Sequence, residues 1–151
     1  MSVLNRASII KRIKERDYKR KLVVTPLLEP SQIGPASIDV RLGSSIIIPK
    51  KIQVDKHDVT NRHMIRELEQ RLYDHSRLKY HDKFILHPSQ LILGVTFEYI
   101  SLPQDLFCMI VSRSSWGRLG LVVATAAAVQ PGYKGCLTLE LANVSESPIA
   151  L

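Results

Sequence analysis

Short runs of β-branched and other apolar residues, separated by proline and glycine, dominate the chain from residue 44 onward. Such runs between turn-forming residues are typical of β-strands. The runs lie at residues 45–48, 84–86, 91–97, 107–111, 121–125 and 136–141. The pattern predicts a mainly β protein, folded as a sandwich or a barrel.

Two segments break the strand pattern and carry apolar residues at helical spacing. In residues 5–19, isoleucines stand among charged residues, as in a short amphipathic helix that covers the core. In residues 61–77, apolar residues recur at the same spacing, and Thr60 or Asn61 can cap the start. The sequence therefore predicts an N-terminal helix and a helical insertion between two strands.

Length and composition favour an intracellular globular protein. With 151 residues and a hydrophobic content of 45%, the chain can form one domain, residues 1–151, with a substantial core. The net charge is +7, but basic residues concentrate in residues 11–21 and 50–83, a distribution that argues against nucleic-acid binding. No stretch resembles a signal core or a bilayer span, so we expect a cytoplasmic protein without membrane attachment.

Cys108 and Cys136 lie in strand-like runs without C-x-x-C spacing, which predicts buried free thiols.

The segment V-S-R-S-S-W-G-R-L-G-L at residues 111–121 combines guanidinium groups and hydroxyls. Arg113 offers paired donors for phosphate oxygens, and Ser114 and Ser115 add short hydroxyl donors. Arg118 can reach a second point on the same ligand. These side chains predict a site for a phosphorylated ligand. Further along, Glu140 interrupts an apolar, strand-like run, which makes this carboxylate a second candidate for chemistry.

Four motifs follow one another along the chain. They are P-A-S-I-D-V-R-L-G at residues 35–43, F-I-L-H-P-S-Q at 84–90, R-S-S-W-G-R-L-G-L at 113–121 and P-G-Y-K-G-C-L-T-L-E-L-A-N at 131–143. Together they resemble the dCTP deaminase branch of the dUTPase superfamily over about residues 5–151. The resemblance implies a distorted β-barrel or jelly roll of the dUTPase-like (β-clip) type. It also implies a homotrimer whose active sites lie between neighbouring subunits.

The resemblance implies hydrolytic deamination of dCTP to dUTP and ammonia. The reaction needs a group that carries protons in both directions, and a partly buried carboxylate suits this task because desolvation raises its pKa. The H-x-E and P-C-x-x-C motifs of zinc deaminases are absent, and the five histidines show no ligand pattern. We therefore expect a reaction without zinc, in which Mg²⁺ is bound through the nucleotide triphosphate.

Matching the motif positions implies a role for individual residues. Glu140 would be the general base and acid, Arg118 would place the water and stabilise developing charge, and Ser114 would be the neighbouring hydroxyl. Ala126 would offer its backbone carbonyl to the water. The residues expected to bind substrate, from phosphates through deoxyribose to pyrimidine, are Arg113, Ser114, Ser115, Val129, Gln130, Tyr133 and Thr138.

Structural roles stay open as alternatives for several of these residues. Glu140 could be a solvent-facing strand residue, Arg118 could form a salt bridge between subunits, and Tyr133 could pack in the core. Asp39 in the first motif is interpreted as structural: it would order a turn and partner an arginine.

Three departures from the family pattern keep other functions open. Gln130 stands where the family has aspartate, and residues 122–129 are one residue shorter and rich in alanine. The chain stops at Leu151, where the family continues into a basic, aromatic tail, so we expect weaker phosphate binding. The alternatives are a non-catalytic trimeric nucleotide-binding or regulatory protein, and a dUTP pyrophosphatase or bifunctional enzyme that converts dCTP to dUMP. Regulation by dTTP is a further open question.

Overall fold

The computed structural model describes residues 2–50, 60, 72–79, 81–123 and 127–151. In this part of the chain, the helical elements are α1 at Arg6–Ile13, a 3₁₀ turn at Pro30–Gln32 and α2 at Ser114–Arg118. The strands are β1 Val23–Thr25, β2 Leu42–Pro49, β3 Tyr73–Arg77, β4 Ile85–Leu86, β5 Leu91–Ser101, β6 Cys108–Met109, β7 Leu121–Val123, β8 Ala128–Val129, β9 Lys134–Asn143 and β10 Ile149–Ala150.

An antiparallel sheet built around the long strand β5 organises the fold. Its strand order is β3-β2-β5-β9-β7, and β1 pairs with the end of β5 beyond β2. Two small sheets form from β4 with β10 and from β6 with β8. The predicted mainly β class is confirmed, and the described strands form a distorted, open β-fold rather than a closed barrel.

Residues of β5 and β9 alternate between a buried and an exposed face of the sheet. On the buried face, Ile100 and Leu137 pack with Ile9 of α1 in one apolar cluster. Ile92 and Leu141 pack in a second cluster further along the same two strands. Because Leu137 and Leu141 point into the core, the side chains at positions 136, 138 and 140 point away from it.

A buried hydroxyl bridges the irregular part of the β5–β9 pairing. The register shifts between Val95 and Tyr99, so the regular ladder of hydrogen bonds is interrupted there. The Thr96 hydroxyl donates to the Glu98 carbonyl at 2.8 Å and accepts from the Leu137 N–H at 2.9 Å. Thr96 therefore satisfies the strand backbone where the two strands no longer pair directly.

The side chain of Glu98 lies in the interior, where it needs partners. Its carboxylate accepts from the backbone N–H and the Nε of Arg41, both at 2.7 Å, and from the Gln32 amide at 3.1 Å. The Arg41 guanidinium also lies 4.9 Å from the centre of the Phe97 ring. These contacts fix the segment around Arg41 to the middle of the sheet.

The predicted N-terminal helix is confirmed but ends earlier than expected. The Asn5 side chain caps it by accepting from the Ser8 N–H at 2.9 Å. The helix stops at Ile13, and the chain folds back so that the Leu22 N–H donates to the Arg12 carbonyl at 3.0 Å. Residues 14–19 therefore form the return path rather than more helix.

Part of the predicted helical insertion is wrong. Residues 73–77 form β3, which pairs antiparallel with residues 45–49 of β2. Pairing with the sheet edge outweighs the local helical spacing of the apolar residues. Residues 61–71 of the predicted insertion lie outside the described residues.

The prediction of two buried thiols is also wrong in part. Both cysteines are free, and Cys108 is half-buried, but Cys136 is exposed. Cys136 lies on the outward face of β9, since strand residues alternate and Leu137 occupies the inward position.

Candidate active site

The exposed face of β9 carries Glu140 and Thr138. The β5–β9 register places Glu140 opposite Leu93 and Thr138 opposite Val95. Because they are two residues apart on one strand, their side chains point the same way and lie roughly 7 Å apart. The outward face of β9 thus presents the Glu140 carboxylate, the Thr138 hydroxyl and the backbone between them.

Glu140 is exposed in the single chain, in contrast to the partial burial expected for a proton carrier. Within the described residues it makes no side-chain hydrogen bond or ion pair, and the same holds for Arg118. No other described element covers this face of β9. A desolvated site for Glu140 would therefore need a second surface.

The arginine–serine segment forms the short helix α2. The Arg113 carbonyl accepts from the N–H groups of Trp116 at 3.0 Å and Gly117 at 3.2 Å, which starts the helix. Ser114 and Arg118 are four residues apart and so lie on the same helix face, and both are exposed. Ser115 is exposed as well. The strand-like pattern around this segment did not predict α2.

Gly120 ends α2 and turns the chain into β7. Its φ is +86°, a conformation that side chains other than glycine rarely adopt. A Cβ atom at this position would lie 2.5 Å from the Cβ of Ser145 and 2.9 Å from the Ser145 backbone nitrogen. The close approach of residues 144–145 therefore fixes where the helix stops and where β7 begins.

Arg113 is anchored by Asp39, the arginine partner expected for that carboxylate. The guanidinium donates from Nη2 to Oδ2 of Asp39. The backbone of Asp39 is itself held, because its N–H donates to the Gln32 carbonyl at 2.8 Å and its carbonyl accepts from the Gln32 amide at 3.2 Å. Arg113 stays 65% exposed, so its other donors are available to a ligand.

The turn before β9 presents Gln130 and partly buries Tyr133. The Tyr133 N–H donates to the Gln130 carbonyl at 3.2 Å, and Gly132 has a φ of +80°. The Tyr133 hydroxyl donates to the Cys136 carbonyl at 2.7 Å, and burial raises the pKa of this phenol. The ring also packs against the first apolar cluster, as the structural alternative for Tyr133 expected.

Val129 lies on β8 with 5% of its surface exposed, and its side chain belongs to the apolar core. A ligand at this position would contact the backbone of Val129. Ala126 lies outside the described residues. The ligand roles of the sequence-predicted residues stay predictions, and within the described part no hydrogen bond or ion pair joins α2 to Glu140.

Several large apolar side chains share the exposed sheet face with Glu140. Phe97 is 52% exposed, Leu91 44% and Tyr99 40%, all on β5. Val122 on β7, the strand that pairs with β9, is 38% exposed. Exposed apolar surface of this kind on a sheet is typical of a protein–protein contact.

The described part of the chain shows neither a metal-binding cluster nor a membrane-spanning helix. No three histidine, cysteine, aspartate or glutamate side chains come together there as a group that could hold a metal ion. Among the described helices, none combines the length and the apolar character needed to cross a membrane.

The fold and these side chains define a class of protein that is mainly β, with a carboxylate on the outward face of a strand and an exposed arginine–serine segment. The family model for dCTP deaminase-like domains matches residues 3–151. The chain belongs to the dCTP deaminase-like family.

Individual relatives agree with this assignment. A dCTP deaminase of Halorubrum lacusprofundi is 38% identical over 151 residues, which cover 99% of this chain and 70% of the relative. A dUMP-forming dCTP deaminase of Methanobrevibacter smithii is 37% identical over 142 residues, covering 93% of this chain and 71% of the relative. The crystal structure of the 2′-deoxycytidine 5′-triphosphate deaminase of Agrobacterium tumefaciens superposes with a TM-score of 0.69 at 25% identity, covering 98% of this chain and 44% of that one.

Proposed function

We propose that this chain is a dCTP deaminase, which hydrolyses dCTP to dUTP and ammonia. The observation that carries the proposal is Glu140, which extends from the outward face of β9 within the family motif. The relatives that are about 38% identical and bear the name dCTP deaminase support the same activity.

Glu140 performs the proton transfers in this proposal. Its carboxylate takes a proton from water as the oxygen attacks C4 of the cytosine ring, and it delivers that proton to N3. A second proton, from the new hydroxyl, goes to the amino group, and the C4–N bond breaks to release ammonia. Arg118 stabilises the charge that develops on the attacking oxygen, with Ser114 beside it and the Ala126 carbonyl as a further acceptor for the water.

Arg113 binds the phosphates in this proposal, with Ser114 and Ser115 as additional donors. Asp39 uses one side of the guanidinium and leaves the remaining donors for phosphate oxygens. Mg²⁺ enters as part of the substrate, bound to the triphosphate. Val129, Gln130, Tyr133 and the backbone at Thr138 lie against the sugar and the base.

We further propose that the protein is a cytoplasmic homotrimer. The exposed apolar side chains of β5 and β7 favour a partner surface, and a second copy provides one that also covers Glu140. Partial burial of this carboxylate in the assembly would supply the desolvation that its proton transfers need. Light scattering on the purified protein should give the mass of three chains, and a monomer that turns over dCTP would contradict this part of the proposal.

Replacing Glu140 by glutamine tests the mechanism directly, because the change removes the base and keeps the shape. We expect Glu140→Gln to abolish ammonia release from dCTP while nucleotide binding and oligomeric state stay nearly unchanged. Glu146→Gln is the matched control, since Glu146 is an exposed acid in the turn after β9. Wild-type turnover in Glu140→Gln would show that another group moves the protons.

The dUMP-forming reaction is a second candidate, because the Methanobrevibacter smithii relative bears that name. Gln130 argues against it, since a neutral amide cannot act as the base for attack of water on a phosphate. Separation of the nucleotide products distinguishes the reactions. The simple deaminase yields dUTP, whereas the bifunctional enzyme yields dUMP and pyrophosphate.

A further inference from the structure

A shallow cavity of about 480 Å³, open to solvent, lies between the return path after α1 and the turn before β9. This volume falls within the range of small-molecule pockets. Tyr18, Lys19 and Lys21 line one side, Gly132 and Lys134 line the other, and the floor begins at Ser101. The cavity therefore joins three separate parts of the chain.

The cavity is well separated from Glu140. Ser101 pairs with Lys134 at the start of β9, whereas Glu140 lies six residues further along the same strand. Six extended residues span roughly 20 Å. A ligand in the cavity would be distinct from the cytosine ring at Glu140, whereas the turn of Gln130 and Tyr133, which the proposed function places against the sugar, borders the cavity.

Arg12 holds the walls of the cavity in place. Its Nε donates to the Arg20 carbonyl at 2.7 Å, which fixes the segment that carries Lys19 and Lys21. Its Nη1 donates to Asp105 at 2.8 Å, next to the floor of the cavity. The Arg12 side chain is 13% exposed and that of Asp105 is 50% exposed, so the bridge is shielded from solvent on the Arg12 side only.

The charge of the cavity is strongly positive. Lys19, Lys21 and Lys134 face it, and none of the described residues that line it is a carboxylate. Two acids lie nearby: Asp105, beside the floor, is paired with Arg12, and the Asp17 carboxylate accepts from the Lys19 N–H at 3.0 Å. The Lys21 ammonium lies 5.9 Å from the centre of the Tyr18 ring, which holds the cation at the rim without neutralising it. Three lysines line the cavity, and no described lining residue is an acid, which favours an anionic ligand.

We propose that this cavity is a second anion site, which binds the phosphate groups of a small phosphorylated ligand. Lysine ammonium groups bind phosphate as point charges, and the Ser101 hydroxyl and the Gln104 amide can add neutral donors. The apolar floor at Leu102 and Pro103 and the exposed Tyr18 ring leave room for a nucleoside attached to the phosphates. The site does not depend on the deaminase reaction.

Calorimetric titration with inorganic tripolyphosphate tests the proposal on the full chain. The test variant is Lys19→Ala/Lys21→Ala/Lys134→Ala, and the matched control is Lys11→Ala/Lys14→Ala/Lys83→Ala, which removes the same charge from exposed positions elsewhere. We expect the test variant to bind tripolyphosphate about tenfold more weakly or worse, and the control to change by less than about threefold. Parallel titration with ATP identifies the source of the phosphate: tighter binding of ATP indicates a nucleotide, and equal binding indicates a bare phosphate chain.

An Arg113→Met variant separates this site from the proposed substrate site. The proposal predicts that Arg113→Met retains the binding that the triple lysine variant loses. Equal losses in the test and control variants would show that only the net charge matters. Complete loss in Arg113→Met, with full binding in the triple lysine variant, would place all phosphate binding at α2. Both of these results would overturn the proposal, and neither depends on whether dCTP is deaminated.

Discussion

Replacement of Arg41 by methionine should cause a large loss of stability, because the buried carboxylate of Glu98 would lose its cationic partner. Glu98 is 0% exposed, and the Arg41 Nε lies 2.7 Å from it. Removing one member of a buried ion pair costs about 3–5 kcal/mol. The Arg41 side chain is 41% exposed, and the Arg41 backbone N–H and the Gln32 amide would still donate to Glu98, so we expect a loss of about 2–3 kcal/mol, at or below the lower end of that range.

Arg113→Met is the matched control for this prediction. Arg113 also pairs with a carboxylate, but its side chain is 65% exposed and that of Asp39 is 44% exposed. Exposed ion pairs contribute about 0–1 kcal/mol, so this variant should unfold almost like the wild type. Urea unfolding of both variants at equal protein concentration measures the difference, since the stability of an oligomer depends on concentration.

A double variant tests the physical reason behind the loss. If the cost arises from an unpaired buried charge, Arg41→Met combined with Glu98→Gln should recover part of the stability lost in Arg41→Met alone, because glutamine removes the charge and keeps an acceptor oxygen. Equal urea midpoints for Arg41→Met and Arg113→Met would refute this reasoning, as would a double variant less stable than Arg41→Met.

Two other stability predictions follow from single contacts. The Arg12 hydrogen bond lowers the pKa of Asp105 below its usual value of 3.8. The stabilisation that this ion pair gives is therefore present at neutral pH and is lost as the pH falls through the folded-state pKa. Asp105→Asn should lower the melting temperature at pH 7, and its difference from the wild type should vanish in strong acid. Gly120→Ala should lower the free energy of unfolding in urea by about 1–3 kcal/mol, because φ is positive and the new Cβ atom would clash with Ser145. Gly117→Ala should be neutral or stabilising, because its new Cβ atom would meet nothing within 4 Å.

Much of the strand framework could be predicted from the sequence, because the longer strands either alternate apolar and polar residues or are apolar throughout. β2, β5 and β9 were found within a few residues, and each contributes buried side chains that give this signal. β1, β3 and the two-residue strands β8 and β10 were missed. β1 has only three residues, and β3 carries the polar sequence Y-D-H-S-R, whose strand form depends on pairing with β2.

The sequence predicts which residues form the candidate site better than it predicts their exposure and local structure. The motif positions predict roles for Glu140 and Arg113 that stay predictions, whereas the arginine partner expected for Asp39 is present. The exposure of Glu140 could not be read from the sequence, because burial of an outward strand residue depends on what covers the sheet. The helical form of residues 114–118 was missed because five residues are too few for a periodic signal.

The central claim is tested most directly by incubating the purified wild-type protein with dCTP and Mg²⁺, measuring ammonia and separating the nucleotides by chromatography. The proposed function predicts that ammonia and dUTP appear in equal amounts. Ammonia with dUMP and pyrophosphate would support the bifunctional reaction instead. Binding of dCTP by a trimer that releases no ammonia would contradict the deaminase proposal and favour a nucleotide-binding or regulatory role.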